Sequence, residues 1–215
     1  MGTWICHLRI AEQLLPHLPE LDRVLFVYGN LAPDSGIPNE TWTKFDPPKE
    51  VTHFMEKGEG EDMIRDLDYY REYVAKLNPE DDIQKYSFRL GFFTHLICDI
   101  LWTKYLLKPT KELAKDLLAE DELKAWNAIK DDWYGLDQRY NRAHPEGLFW
   151  QVINKTPNPP SYLPFINERR CISNMNTSAD FMGNPKRNGS LSVHSPISTN
   201  PPWPAWSMIR PGPLY

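Results

Sequence analysis

Residues 88–102, FRLGFFTHLICDILW, are apolar all round a helical wheel, and the pattern predicts a buried helix. Two polar residues interrupt it. His95 and Asp99 stand four apart, which puts them one turn from each other on one helix face. Residues 3–15, TWICHLRIAEQLL, place Trp4, His7, Ile10, Ala11 and Leu14 on one stripe that Pro16 ends. Residues 20–31 form a second apolar element whose pattern does not separate helix from strand. It closes in GNLAPDSG, residues 29–36, where proline and glycine signal a turn. Residues 36–60 read as a long loop containing Pro47-Pro48 and Val51-Thr52-His53-Phe54, and such a length marks a functional or mobile segment. Further helices are predicted at about 61–77, 80–107, 110–118 and 120–143. Strand alternation and Asn-Gly hairpins are almost absent from this part of the chain. The predicted class is therefore all-α, a multi-helix bundle.

The helical period stops near residue 156. Residues 156–215 hold eleven of the twenty prolines, two acidic residues and five basic ones. The predicted organisation is a helical domain over 1–155 and a Pro-rich, largely irregular tail over 156–215. Two readings of the tail stand side by side: a proline-rich docking segment, or a stretch with no selected structure.

At 215 residues the chain can bury a substantial core, and a net charge of −5 argues against a dedicated nucleic-acid coat. No basic segment precedes an apolar run at the start, so no secretory signal is expected. The longest apolar stretch, 88–107, carries Arg89, His95, Asp99 and Lys104 and makes a poor membrane span. The expected setting is cytoplasmic and reducing. Cys6, Cys98 and Cys171 form no disulfide framework, and the first two read as small buried hydrophobes.

Burying the Asp99 carboxylate is costly unless it is paired or binds a cation. Other polar residues in apolar surroundings supply company. His7 interrupts the first helical stripe, Asp34 follows Pro33 in an Ala-Pro-Asp-Ser turn, and His53 sits in Thr-His-Phe. Three imidazoles and two carboxylates suit zinc or another first-row metal, and five such ligands can hold two ions if one carboxylate bridges. His17 lies between prolines, His144 precedes Pro145 at a helix boundary, and His194 lies in the tail. None of these joins the set. There is no His-Glu-x-x-His, no Gly-x-Ser-x-Gly and no phosphate-cradling glycine loop.

The order His7 in ICHLRIAEQLL, Asp34 in GNLAPDSG, His53 in VTHF, and His95 with Asp99 in LGFFTHLICDILW resembles the zinc-dependent phospholipase C family. The resemblance covers about residues 3–155. It implies an all-helical fold, shared with the zinc-dependent single-strand nucleases, holding up to three zinc ions. It implies that Asp34, His53 and His95 bind one zinc with help from Asp99, and that His7 binds a neighbour with Asp99 as the bridge. The sequence also departs from the family. Secreted members use the amino group of a processed N-terminal tryptophan, whereas Trp4 is internal. A third histidine ten residues after His95 is replaced by Tyr105. A later His-x-x-x-Glu pair has Trp133 and Asp137 at its positions, with Asp132 an alternative carboxylate. Two zinc ions are expected and a third is not.

The resemblance implies metal-dependent hydrolysis of a phosphoric ester, either a phospholipid head group or a soluble phosphodiester, with Asp34 also fitted to serve as general base. Trp42 and Phe45, in the long loop with His53, would form one wall of the substrate cleft. The alternative is a non-catalytic helical module that keeps a reduced zinc site for stability.

Overall fold

The computed structural model describes residues 2–40, 44–155 and 159–166. Helix α1, Trp4–Leu14, begins where the Thr3 hydroxyl accepts a hydrogen bond from the Cys6 amide, and a tight turn containing Pro16 follows it. The element left undecided at 20–31 is helix α2, Arg23–Leu31, capped by Asp22, whose carboxylate accepts from the Leu25 amide at 3.0 Å. Every residue from Leu25 to Leu31 is buried, so no polar face existed to mark the helical period.

The long loop is not featureless. Ile37–Pro38 pairs antiparallel with Phe45–Asp46, and a single turn, α3 (Lys49–Thr52), precedes His53. Helix α4, Asp66–Tyr69, runs on into a wide turn at Tyr70–Val74, so the helix predicted from 61 begins late. Central helix α5, Ile83–Trp102, passes through another wide turn, Thr103–Leu107, into α6, Lys108–Leu113. Pro109 lies in the first turn of α6 and has no amide hydrogen with which to continue the regular ladder. Helices α7, Lys115–Glu120, and α8, Glu122–Ala143, complete the series. A last helical turn, Phe149–Ile153, lies beyond the predicted helices and buries Phe149, Val152 and Ile153.

The core forms around the crossing of α2 and α5. Gly29 and Gly91 face the opposite backbone there: a Cβ added at Gly29 would lie 1.9 Å from the Phe88 carbonyl oxygen, and one at Gly91 would lie 2.1 Å from that of Phe26. Only glycine lets two helix backbones approach so closely. Phe26, Leu31, Phe92 and Leu96 fill the space around the crossing. Residues 159–166 also lie against this core, with Leu163 and Ile166 buried. Arg89 holds them, donating to the Tyr162 carbonyl and to that of Tyr73, each at 3.0 Å. The remainder of 156–215 lies outside the described residues, and with it the reading of the tail. Among the described residues, no helix is long and apolar enough to cross a membrane.

Candidate metal centre

Four elements converge on one buried point. Helix α5 presents His95 and Asp99, α1 presents His7, the turn after α2 presents Asp34, and the residue following α3 is His53. His7, His53, His95 and Asp99 are buried, and the Asp34 side chain retains 6 % exposure. The five residues separated by up to 92 positions in sequence are thus neighbours in space.

Hydrogen bonds fix two of the imidazoles. His95 Nδ1 lies 2.8 Å from the Asn30 carbonyl oxygen, a pure acceptor, so this nitrogen carries the hydrogen and donates it. His53 Nδ1 lies 2.9 Å from the Thr52 hydroxyl, which itself donates to the Lys49 carbonyl at 3.3 Å and therefore accepts from the ring. In the neutral rings both Nε2 atoms then carry bare lone pairs, and they face each other at 3.3 Å. Around them stand Asp34 Oδ1, at 3.4 Å from His53 and 4.0 Å from His95, and Asp99 Oδ2, at 3.4 and 3.5 Å from the same two nitrogens.

Four electron-rich atoms this close repel one another unless positive charge lies among them. Bonds of about 2.0–2.2 Å to a tetrahedral centre would set neighbouring ligand atoms roughly 3.3–3.6 Å apart. Four of the five edges just given fall within or beside that range, and the fifth opens towards Asp34. The donor set fits a metal ion such as zinc.

A second group adjoins the first. His7 stacks on His95 with ring centroids 3.8 Å apart and planes 9° from parallel, and its Nε2 lies 3.5 Å from Asp99 Oδ1. Among the described residues neither His7 nitrogen has a hydrogen-bond partner, although the ring is fully buried. The Gly2 amide donates to the same Asp99 oxygen at 2.7 Å. His7, His95 and Asp99 form one group able to hold a metal ion, and Asp34, His53 and His95 form another. Asp99 turns one oxygen to each side, the arrangement a bridging carboxylate needs.

The electrostatics point the same way. Burial, followed by the neighbouring His7, holds the His95 imidazole below its ordinary value. Burial opposes charge on Asp99 as well, yet His95 and the surrounding imidazole contacts hold its carboxyl well below the usual range. Against the same burial, His7 is drawn upwards by Asp99, and His53 by Asp34 and Asp99. Without a cation, the pocket thus recruits protons onto imidazoles to balance its carboxylates.

The later candidate positions contribute differently. Tyr105 is 58 % exposed on the wide turn after α5, and Trp133 packs edge-on against Trp102 with centroids 5.1 Å apart. Asp132 is exposed. Asp137 is buried on α8, and among the described residues its Oδ2 has no hydrogen-bond partner. Burial pushes the Asp137 carboxyl up to about 6, against a hydrogen bond to Thr3 and the charges of Arg9 and His7. A carboxyl raised in the folded chain favours folding while it is protonated, and that advantage disappears as pH rises through the folded value. For a shift of this size the loss is about 3 kcal/mol between pH ~4 and ~7. Urea unfolding of the metal-stripped chain should show this slope, and Asp137→Asn should flatten it and be the more stable at neutral pH. Equal slopes would disprove the account.

Sequence reasoning missed the residues that orient the rings. Asn30 acts through a backbone carbonyl, which leaves no mark on residue type, whereas Thr52 beside His53 was a readable signal. His17 is exposed, and His144 donates through Nδ1 to the Tyr140 carbonyl at 2.9 Å, away from the site. Trp42 and His194 lie outside the described residues, and Phe45 is exposed.

Residues 6–102 match the family model described as zinc dependent phospholipase C, a segment of 97 of the 215 residues that contains all five converging side chains. The all-α architecture agrees with that family. No curated protein and no solved structure matches the chain.

Proposed function

We propose that this chain is a zinc-dependent hydrolase of phosphoric esters, acting on a phospholipid head group or a soluble phosphodiester. The observation that carries the proposal is the pair of bare Nε2 atoms 3.3 Å apart with two carboxylates beside them. Asp34, His53, His95 and Asp99 would hold one zinc ion, and His7 with the far oxygen of Asp99 a second. Bound there, zinc supplies Lewis acidity, which makes water nucleophilic near neutral pH and offsets charge on the phosphoryl oxygens.

The protein's own residues do the rest. Asn30 and Thr52 lock the His95 and His53 tautomers so that neither ring must reorganise during turnover. Asp34 is the member of the set with residual exposure, and this supports assigning it to accept the proton of the attacking water and return it to the departing alcohol. In that exchange the water oxygen bonds to phosphorus and the bond from phosphorus to the ester oxygen breaks.

The second reading, a non-catalytic module with structural zinc, draws on Tyr105 and Trp133. Both occupy positions where the family resemblance calls for histidine, and neither can ligate zinc as an imidazole does. Zinc analysis of the purified chain, combined with turnover of a chromogenic phosphodiester, separates the two. The hydrolase reading expects bound zinc together with hydrolysis that a chelator abolishes and zinc restores. Bound zinc without turnover would establish the structural module instead.

A further inference from the structure

Cys6 and Cys98 take no part in the mechanism above, yet they occupy an unusual place. Cys6 precedes His7 on α1, and Cys98 precedes Asp99 on α5. Since His7 and Asp99 approach to 3.5 Å, the two helices run in close register at this level. The cysteines share one buried cluster with Trp102, bordered by Ile10, Leu106, Leu107 and Trp133. Both are free thiols, and Cys6 lies at the margin of burial with 9 % exposure.

We propose that Cys6 and Cys98 form an oxidative modification site, where a small peroxide joins them in a disulfide that ties α1 to α5 behind the metal centre. One thiol attacks a peroxide oxygen, the O–O bond breaks, water leaves and a sulfenic acid remains. The second sulfur attacks the first, the S–O bond breaks, and a second water leaves with the thiol's proton. Two electrons pass from the two sulfurs to the peroxide.

The bond has a consequence for the neighbouring ligands. A disulfide of about 2.05 Å draws the sulfurs well inside the van der Waals separation of two unbonded thiols. Metal–ligand distances hold to within about 0.2 Å of their ideal values. Closing the disulfide therefore displaces His7 and Asp99 and weakens zinc binding, and by linkage bound zinc opposes disulfide formation. This coupling rests on the function proposed above, whereas the disulfide itself does not.

The test uses the full chain carrying Cys171→Ser, so that only the two thiols remain. Zinc-free and zinc-saturated samples are treated with hydrogen peroxide, alkylated, digested and weighed by mass spectrometry. Expected are loss of both alkylatable thiols, a mass lower by two hydrogens, and a cross-linked peptide pair joining residues 6 and 98. The linked form should bind zinc more weakly, by about tenfold or more, in chelator competition, and by the same linkage the zinc-saturated thiols should need a correspondingly more oxidising glutathione buffer to close at equilibrium. Thiols that stay alkylatable, or that oxidise singly to sulfinic acid without a cross-link, overturn the site. Equal zinc affinity of the linked and open forms overturns the coupling. A cross-link in a chain that binds no zinc leaves the disulfide standing and defeats the hydrolase reading alone.

Discussion

His95→Ala should abolish zinc binding and phosphodiester hydrolysis together. His95 belongs to both groups of converging donors, so its loss strikes the whole centre. Removing an outer partner of a metal ligand costs about 10–100-fold in affinity, and removing the ligand itself should exceed that. Hydrolysis should fall at least in proportion, beyond about a hundredfold. Because His95 is fully buried, circular dichroism must first show that the variant keeps its helices. His53→Ala gives an independent check, since His53 lies on a short turn at the edge of the core and not within the central helix. Zinc stoichiometry retained in both variants would end the assignment.

The second large effect concerns the helix crossing. Gly91→Ala should lower stability sharply, while Gly135→Ala should raise it. Both glycines sit in helix interiors, where alanine gains about 1 kcal/mol of intrinsic preference. Their surroundings differ. At Gly135 a new Cβ meets nothing within 4 Å, so the gain stands. At Gly91 it would lie 2.1 Å from the Phe26 carbonyl oxygen and 2.9 Å from the Asn30 amide nitrogen, both backbone atoms that no rotamer change can move. Overpacking of this kind costs about 1–3 kcal/mol or more, which outweighs the helical gain. Parting the helices also draws the Asn30 carbonyl away from His95, so metal affinity should fall with stability. Thermal unfolding of the two variants beside the parent decides the matter, and a neutral or stabilised Gly91→Ala would refute the close-crossing explanation.

Which parts of this were readable beforehand follows from how each residue acts. His95 and Asp99 announced themselves because two polar side chains stood in an otherwise apolar helix, and such intrusions need a reason. Helix α2 gave no comparable sign. It is buried on all sides, so its residues carry neither the helical nor the strand alternation, and its type depended on the Asp22 cap and on α5. The turn at Thr103–Leu107 was hidden for another reason, since a widened turn keeps the composition of the helix it interrupts. The five converging residues could be selected by type and surroundings, but their meeting depends on long-range packing. In particular, Gly29 and Gly91 read as ordinary glycines until the opposing backbone is seen beside them. The tautomer of His95 was invisible for the same reason, because it is set by a main-chain oxygen 65 positions away.

Helix α3 has only four residues, fewer than any isolated helix needs to persist in water. It is nonetheless the mount for His53, whose amide donates to the Lys49 carbonyl at 2.8 Å, and Phe54 then turns into the left-handed region at φ 54° to rest against Tyr69. A support so short orients the ring through Thr52 but adds little stability of its own. The dependence runs in reverse: an ion gripping His53 would fasten the segment to α5, and folding of this loop and filling of the centre would become a single equilibrium. Zinc supply would then govern how much of this loop is folded as well as how much of the chain is active.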